Sequence, residues 1–189
     1  MELHDRPSRR REWILKTVFE SGLILFGLIV ALLLNDWRDG RVRHQRVHDA
    51  LTSIEAELTA NVKGIDAVIR HNEEMLAALE ESKKNGKPYM QGIVSAIAVG
   101  ATAWNATRDG GITNDIPFAT LVTLGAAYDD QAGFLDEIHT FLNQLYAKSD
   151  PDEYRRNPAL LQGIFNDFTL HARGLRQRYV DALAALPRH

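Results

Sequence analysis

Cysteine is absent from all 189 residues. That absence excludes a disulfide framework, a thiol nucleophile, an iron–sulfur cluster and a thiolate-bound zinc. No stretch sustains period-two alternation of polar and apolar residues, so no sheet is predicted. Neither sign of charge dominates: the formal net charge of −3 gives no reason to expect nucleic acid as a partner. Reaction motifs are missing as well. Ser53, Ser82, Ser95 and Ser149 lack a G-x-S-x-G setting, and Gly110–Gly111 has no Lys-Ser/Thr sequel and reads as a turn. With 45 % hydrophobic and 25 % charged residues, the chain has the composition of a folded protein. It is read as a non-enzyme with no cofactor.

What is present is one long apolar run. Gly22–Leu34 (GLILFGLIVALLL) carries no polar side chain over 13 residues. Extended back to Trp13 it reaches 22 residues, roughly 33 Å as helix, enough for about 30 Å of hydrocarbon. Lys16 lies near the end, where its head can snorkel, and Trp13 and Trp37 flank the run as interfacial aromatics do. LLLNDWRD offers no small-residue processing site, so a signal anchor is favoured over a cleaved signal peptide. A buried core helix is disfavoured by the Trp flanks and the Arg9–Arg11 run, which topology and anionic lipid explain better than nucleic acid does.

The charge is unevenly placed. Residues 1–50 hold nine Lys and Arg against seven Asp and Glu; residues 51–189 hold 13 against 18. Around the run, Arg6, Arg9, Arg10, Arg11 and Lys16 face Arg38, Arg41, Arg43 and Arg46. The small excess at the start predicts an N-terminus in the cytoplasm and a C-terminal domain outside it. Within the run, Glu20, Gly27, Ala31 and Asn35 share a stripe about 80° wide. Gly27 and Ala31 form a small-xxx-small pair suited to another membrane helix, so the expected partners are the bilayer and a second copy or another membrane protein.

The remainder reads as helices. Val47, Leu51, Ile54, Leu58, Val62, Ile65, Val68 or Ile69, Met75 or Leu76, and Leu79 recur at three- and four-residue steps to about Ser82, with Asn61 and Asn72 interrupting the seam. Lys83–Pro88 is a turn; a second helix is predicted over Met90–Asn105, and Ala106–Pro117 is the main loop, with Asn114 or Asp115 capping the next helix. That helix starts at Phe118 and ends at Ser149–Pro151, and Asn157–Pro158 opens the last. The expected fold is all-α: a transmembrane helix followed by an antiparallel bundle of about four helices. The expected organisation is a basic cytoplasmic tail (1–12), an anchor (13–35), a juxtamembrane amphipathic helix (36–86) and a bundle domain (87–189) packing against 47–82.

Metal chemistry finds little footing. His44 and His48 share a helix face but lack the H-E-x-x-H base and a third ligand; Asp136 with His139, and Asp167 with His171, fall short of the four carboxylates and two histidines of a di-iron bundle. Trp104, Phe118 and Tyr128 are aromatic candidates for a ligand pocket beside the loop, though packing in a bundle core is the simpler role.

Glu20–Arg41 (ESGLILFGLIVALLLNDWRDGR) resembles a group of uncharacterised bacterial single-pass membrane proteins, in which an acidic residue precedes an apolar span ending in A-L, then N-x-W or D-x-W. Leu51–Val62 (LTSIEAELTANV) is similar to that group's L-x-x-E-L-x-x-N step, and Ala103–Gln131 to its pattern of Trp, a glycine turn and L-x-x-x-Y-x-x-Q. The turn reads D-G-G-I here, in place of G-A-L or G-K-I. The resemblance implies a single-pass anchor with a helical exported domain and no activity. The expected role is a membrane-anchored helical interaction or scaffold protein; the alternative is a sensory or small-ligand-binding domain signalling through a partner membrane protein.

Overall fold

The computed structural model describes residues 8–87, 97–147 and 157–187. Every regular element among them is helical: α1 (Ser8–Asn85), α2 (Thr102–Asp109), a 3-10 turn (Ile112–Asp115), α3 (Phe118–Ala147) and α4 (Pro158–Ala184). The all-α class and the four helices match the expectation.

Helix α1 contains no proline to interrupt its hydrogen-bond ladder between the apolar and the amphipathic segment. It ends where Gly86 takes φ +63, a left-handed conformation that costs glycine little; the Lys87 N–H then donates to Ser82 O at 3.1 Å. Lys83 and Lys84 in the last turn oppose the helix dipole.

Two compact units divide the chain at Arg46/Val47, inside α1. In the first, Val18 to Leu34 are exposed throughout, and the helix that carries them is, by length and composition, long and apolar enough to cross a membrane. The second unit has its own core. Leu51, Ile54, Leu58, Ile65 and Val68 of α1 pack with Leu124, Phe134 and Ile138 of α3 and Leu175, Tyr179 and Ala182 of α4. Met75, Leu79, Leu145, Leu161 and Phe165 form a second cluster. Burying each large aliphatic side chain contributes about 1.5–3 kcal/mol.

Polar pairs fix the helix directions. Asp66 meets Arg176, Glu73 meets Arg173 and Glu80 meets Gln162, so α4 runs antiparallel to α1. Asp130 with Arg178 and Glu137 with His171 set α4 antiparallel to α3 too. Glu57 meets Tyr128 and Asn61 meets Gln131, so α1 and α3 run the same way. The connection explains this: the chain leaves α1 at Asn85 and is back beside Asn61 by Gly100, having retraced roughly 36 Å of helix.

That return corrects the second predicted helix. Residues 97–101 are non-helical and helix begins only at Thr102; residues 90–96 of that expectation lie outside the described residues. Local periodicity favoured helix, but here the backbone groups of Gly100 are taken by side chains of α1 and α3. The main loop is also shorter than expected, because α2 continues to Asp109. Of its two glycines only Gly111 uses a positive φ, +69. Asn114 and Asp115 lie in the 3-10 turn instead of capping α3, which opens after Pro117. Asn157 does cap α4: its Oδ1 accepts from Leu160 N, with Pro158 next in the chain. The expected stop at Ser149–Pro151 and the tail before Ser8 lie outside the described residues.

Candidate functional site

The returning segment 97–101 lies on α1 because α1 has glycine at position 64. A Cβ there would stand 2.1 Å from the backbone oxygen of Ala98, far inside contact distance. One turn away, Asn61 treats Gly100 as a neighbouring strand would. Its Nδ2 donates to Gly100 O at 2.8 Å and its Oδ1 accepts from Gly100 N at 2.8 Å. Gln131 of α3 adds a donation from Nε2 to Gly100 O at 3.2 Å, and its Oε1 accepts from Asn61 Nδ2 at 3.1 Å. The Tyr179 hydroxyl of α4 donates to the same Oε1 at 2.7 Å. Three helices and one non-helical segment are thus joined through two buried side-chain amides.

Glu57, one helical turn before Asn61, completes the clasp. Helix α2 starts after Ala101, which has no side chain to cap it. The Glu57 carboxylate takes that role from another helix, accepting from Ala103 N at 2.9 Å and Trp104 N at 3.3 Å. It satisfies two orphan donors and places negative charge at the positive end of α2. Glu57 also accepts from the Tyr128 hydroxyl at 2.7 Å. The Tyr128 ring stacks on Trp104, with centroids 5.2 Å apart and planes 3° from parallel.

This arrangement favours holding over reacting. Burial, then the hydrogen bond to Glu57, holds the Tyr128 hydroxyl well above the ordinary tyrosine range. Burial, then the charge of Glu57, does the same at Tyr179. Both remain protonated donors at neutral pH, and their protons point at acceptors within the protein.

The sequence candidates fall in different places. Trp104 and Tyr128 are together and buried, as core packing required; Phe118 is 79 % exposed at the start of α3 and belongs to no core cluster, so it does not line a pocket with them. Glu20, Gly27, Ala31 and Asn35 are all exposed on α1. Glu20 has an ion-pair partner on its own helix, Lys16 at 4.0 Å, and Asn35 donates to Asp39 at 3.1 Å. An added Cβ on Gly27 would meet nothing within 4 Å.

His44 is exposed, its Nδ1 2.8 Å from the carbonyl oxygen of Gly40. Asp136 and His139 are exposed on α3, while His171 pairs with Glu137 at 2.7 Å instead of with Asp167. Among the described residues no three His, Cys, Asp or Glu gather as a metal site would require. An open groove of about 560 Å³ lies between α3 and α4, lined by Phe134, Glu137, Leu170, His171, Leu175 and Arg178 among others.

Sequence reasoning assigned no site role to Glu57, Gly64, Gly100, Gln131 or Tyr179. The available signal was the position of Asn61 and Gln131, amides set within apolar stripes. Glu57, Asn61, Trp104, Tyr128 and Gln131 meet in this clasp. No family model matches the chain, and neither does any curated protein or solved structure.

Proposed function

We propose that the protein is a non-enzymatic scaffold: one α1 segment crosses the bacterial inner membrane, and the bundle presents its surface to a partner outside the cytoplasm. The observation that carries this reading is the internal use of the clasp. The polar groups of Asn61, Gln131, Tyr128 and Tyr179 are bonded to other groups of the chain, so that region serves rigidity and leaves no converging polar groups for a ligand. The exposed apolar face from Val18 to Leu34 supports the anchor. The slight arginine and lysine excess before it supports an N-terminus in the cytoplasm. The partners fitting this reading are the lipid bilayer and, along the Gly27–Ala31 face, a second copy or another membrane protein.

The second reading, a small-ligand sensor acting through a membrane partner, draws on the groove between α3 and α4, where charged Arg178, Glu137 and His171 border apolar Phe134 and Leu175. Crosslinking in intact cells followed by purification in detergent separates the two. The scaffold reading expects a stoichiometric protein partner, whose capture is lost on bundle-surface substitution. A small molecule retained without any protein partner contradicts it and favours the sensor. An alkaline phosphatase fused after His189 is expected to be active, whereas activity only of a cytoplasmic reporter there overturns the orientation.

A further inference from the structure

We propose that Arg38, Arg41, Arg43 and Arg46 form a collar that binds the phosphates of anionic phospholipids in the leaflet facing the bundle. The proposal rests on the anchored reading above and adds a lipid preference to it. All four side chains are exposed and belong to the unit that contains the apolar stretch. At about 1.5 Å per residue they lie beyond Leu34 by roughly 6, 10, 14 and 18 Å. A headgroup layer is about 5–8 Å deep on each side, so Arg38 and Arg41 fall in or near it.

Helix geometry brings the other two closer. Each Cα–Cβ bond tilts towards the helix N-terminus, which on this side of the span means back towards the bilayer. Arg43 then reaches the edge of the layer, and Arg46 comes within about a Debye length, ~8 Å at physiological salt. At about 100° per residue the four arginines cover an arc of about 200°, wider than a single helix face. A helix crossing a lipid leaflet meets headgroups on every side, whereas a protein partner would meet one face.

The chemistry fits the same partner. All four cations are arginine, whose planar guanidinium donates in a fork that matches phosphate oxygens, where lysine offers a point charge. Among the described residues no carboxylate lies within ion-pair distance of Arg38, Arg43 or Arg46. Asp39 accepts from Asn35. The Arg41 guanidinium lies 5.3 Å from the centre of the Trp37 ring.

The full chain, reconstituted into vesicles of equal phosphatidylcholine and phosphatidylglycerol, is extracted in mild detergent and its retained lipids are counted by native mass spectrometry. The parent is expected to favour phosphatidylglycerol by at least about fivefold, the contribution of a single arginine near an anionic surface, and less at high salt. The combined variant R38Q/R41Q/R43Q/R46Q is expected to retain the two lipids equally, whereas R9Q/R10Q/R11Q keeps the preference. A parent without preference, or a four-arginine variant that keeps it, overturns the proposal. So does loss of the lipid to added inorganic phosphate, which assigns the site to the free anion. Both parent and variant should resist carbonate extraction from the vesicles. Failure of the parent there removes the anchored reading and the collar together, whereas insertion without lipid preference removes the collar alone.

Discussion

Gly64 decides whether the returning segment can lie on α1. The obstruction to any side chain there is the Ala98 backbone oxygen at 2.1 Å, and backbone cannot rotate aside as a flexible side chain can. Gly64→Ala gains up to about 1 kcal/mol of helix propensity, yet overpacking at such a contact costs about 1–3 kcal/mol. Net destabilisation is therefore expected. Denaturant unfolding of the detergent-solubilised protein, monitored by the fluorescence of buried Trp104, reads it; a variant as stable as the parent contradicts the close approach.

Tyr179 permits a test by pH. Its hydroxyl and that of Tyr128 are held above the ordinary tyrosine value of about 10, so the unfolded chain sheds these protons first. Their contribution is complete below about pH 10 and declines as pH rises beyond it, by up to about 1.4 kcal/mol per pH unit for each tyrosine. Tyr179→Phe loses one hydrogen bond, about 1 kcal/mol at neutral pH, and is expected to show a shallower alkaline decline than the parent. Equal slopes in urea titrations from neutral to strongly alkaline pH contradict the assignment.

At the scale of elements, the helices were legible because leucine and isoleucine at three- and four-residue steps report a buried face directly. The Asn157–Pro158 start was legible because capping is local chemistry. The 97–101 segment was not: its conformation is set by Asn61 and Gln131, far away in sequence, and Asn61 by itself reads as a flaw in an apolar seam. The capping role of Glu57 was illegible for the same reason, since the residue it bonds lies 46 positions further on.

The ion pairs between helices are partly exposed, and each contributes about 0–1 kcal/mol, so they define register more than stability. On the apolar part of α1, Lys16 and Asp39 provide partners for Glu20 and Asn35, which leaves close packing at Gly27 and Ala31 as the main attraction for another helix. Gly27→Leu is expected to weaken association of the span in a membrane two-hybrid assay, while Leu25→Ile on the opposite side leaves it intact. Equal signals in both variants contradict a Gly27–Ala31 interface.

The molecule as a whole consists of two units that differ in where their apolar side chains lie. The bundle from Val47 onward buries its leucines, isoleucines and aromatics around the clasp, whereas residues 18–34 expose an equally apolar surface that no other described part of the chain covers. Water is a poor solvent for that surface and lipid hydrocarbon a good one. The most direct measurement is alkaline carbonate extraction of membranes from cells producing the full chain. The anchored account expects the protein to remain in the membrane pellet and to enter the soluble fraction only with detergent. Release by carbonate alone would contradict a membrane-spanning α1.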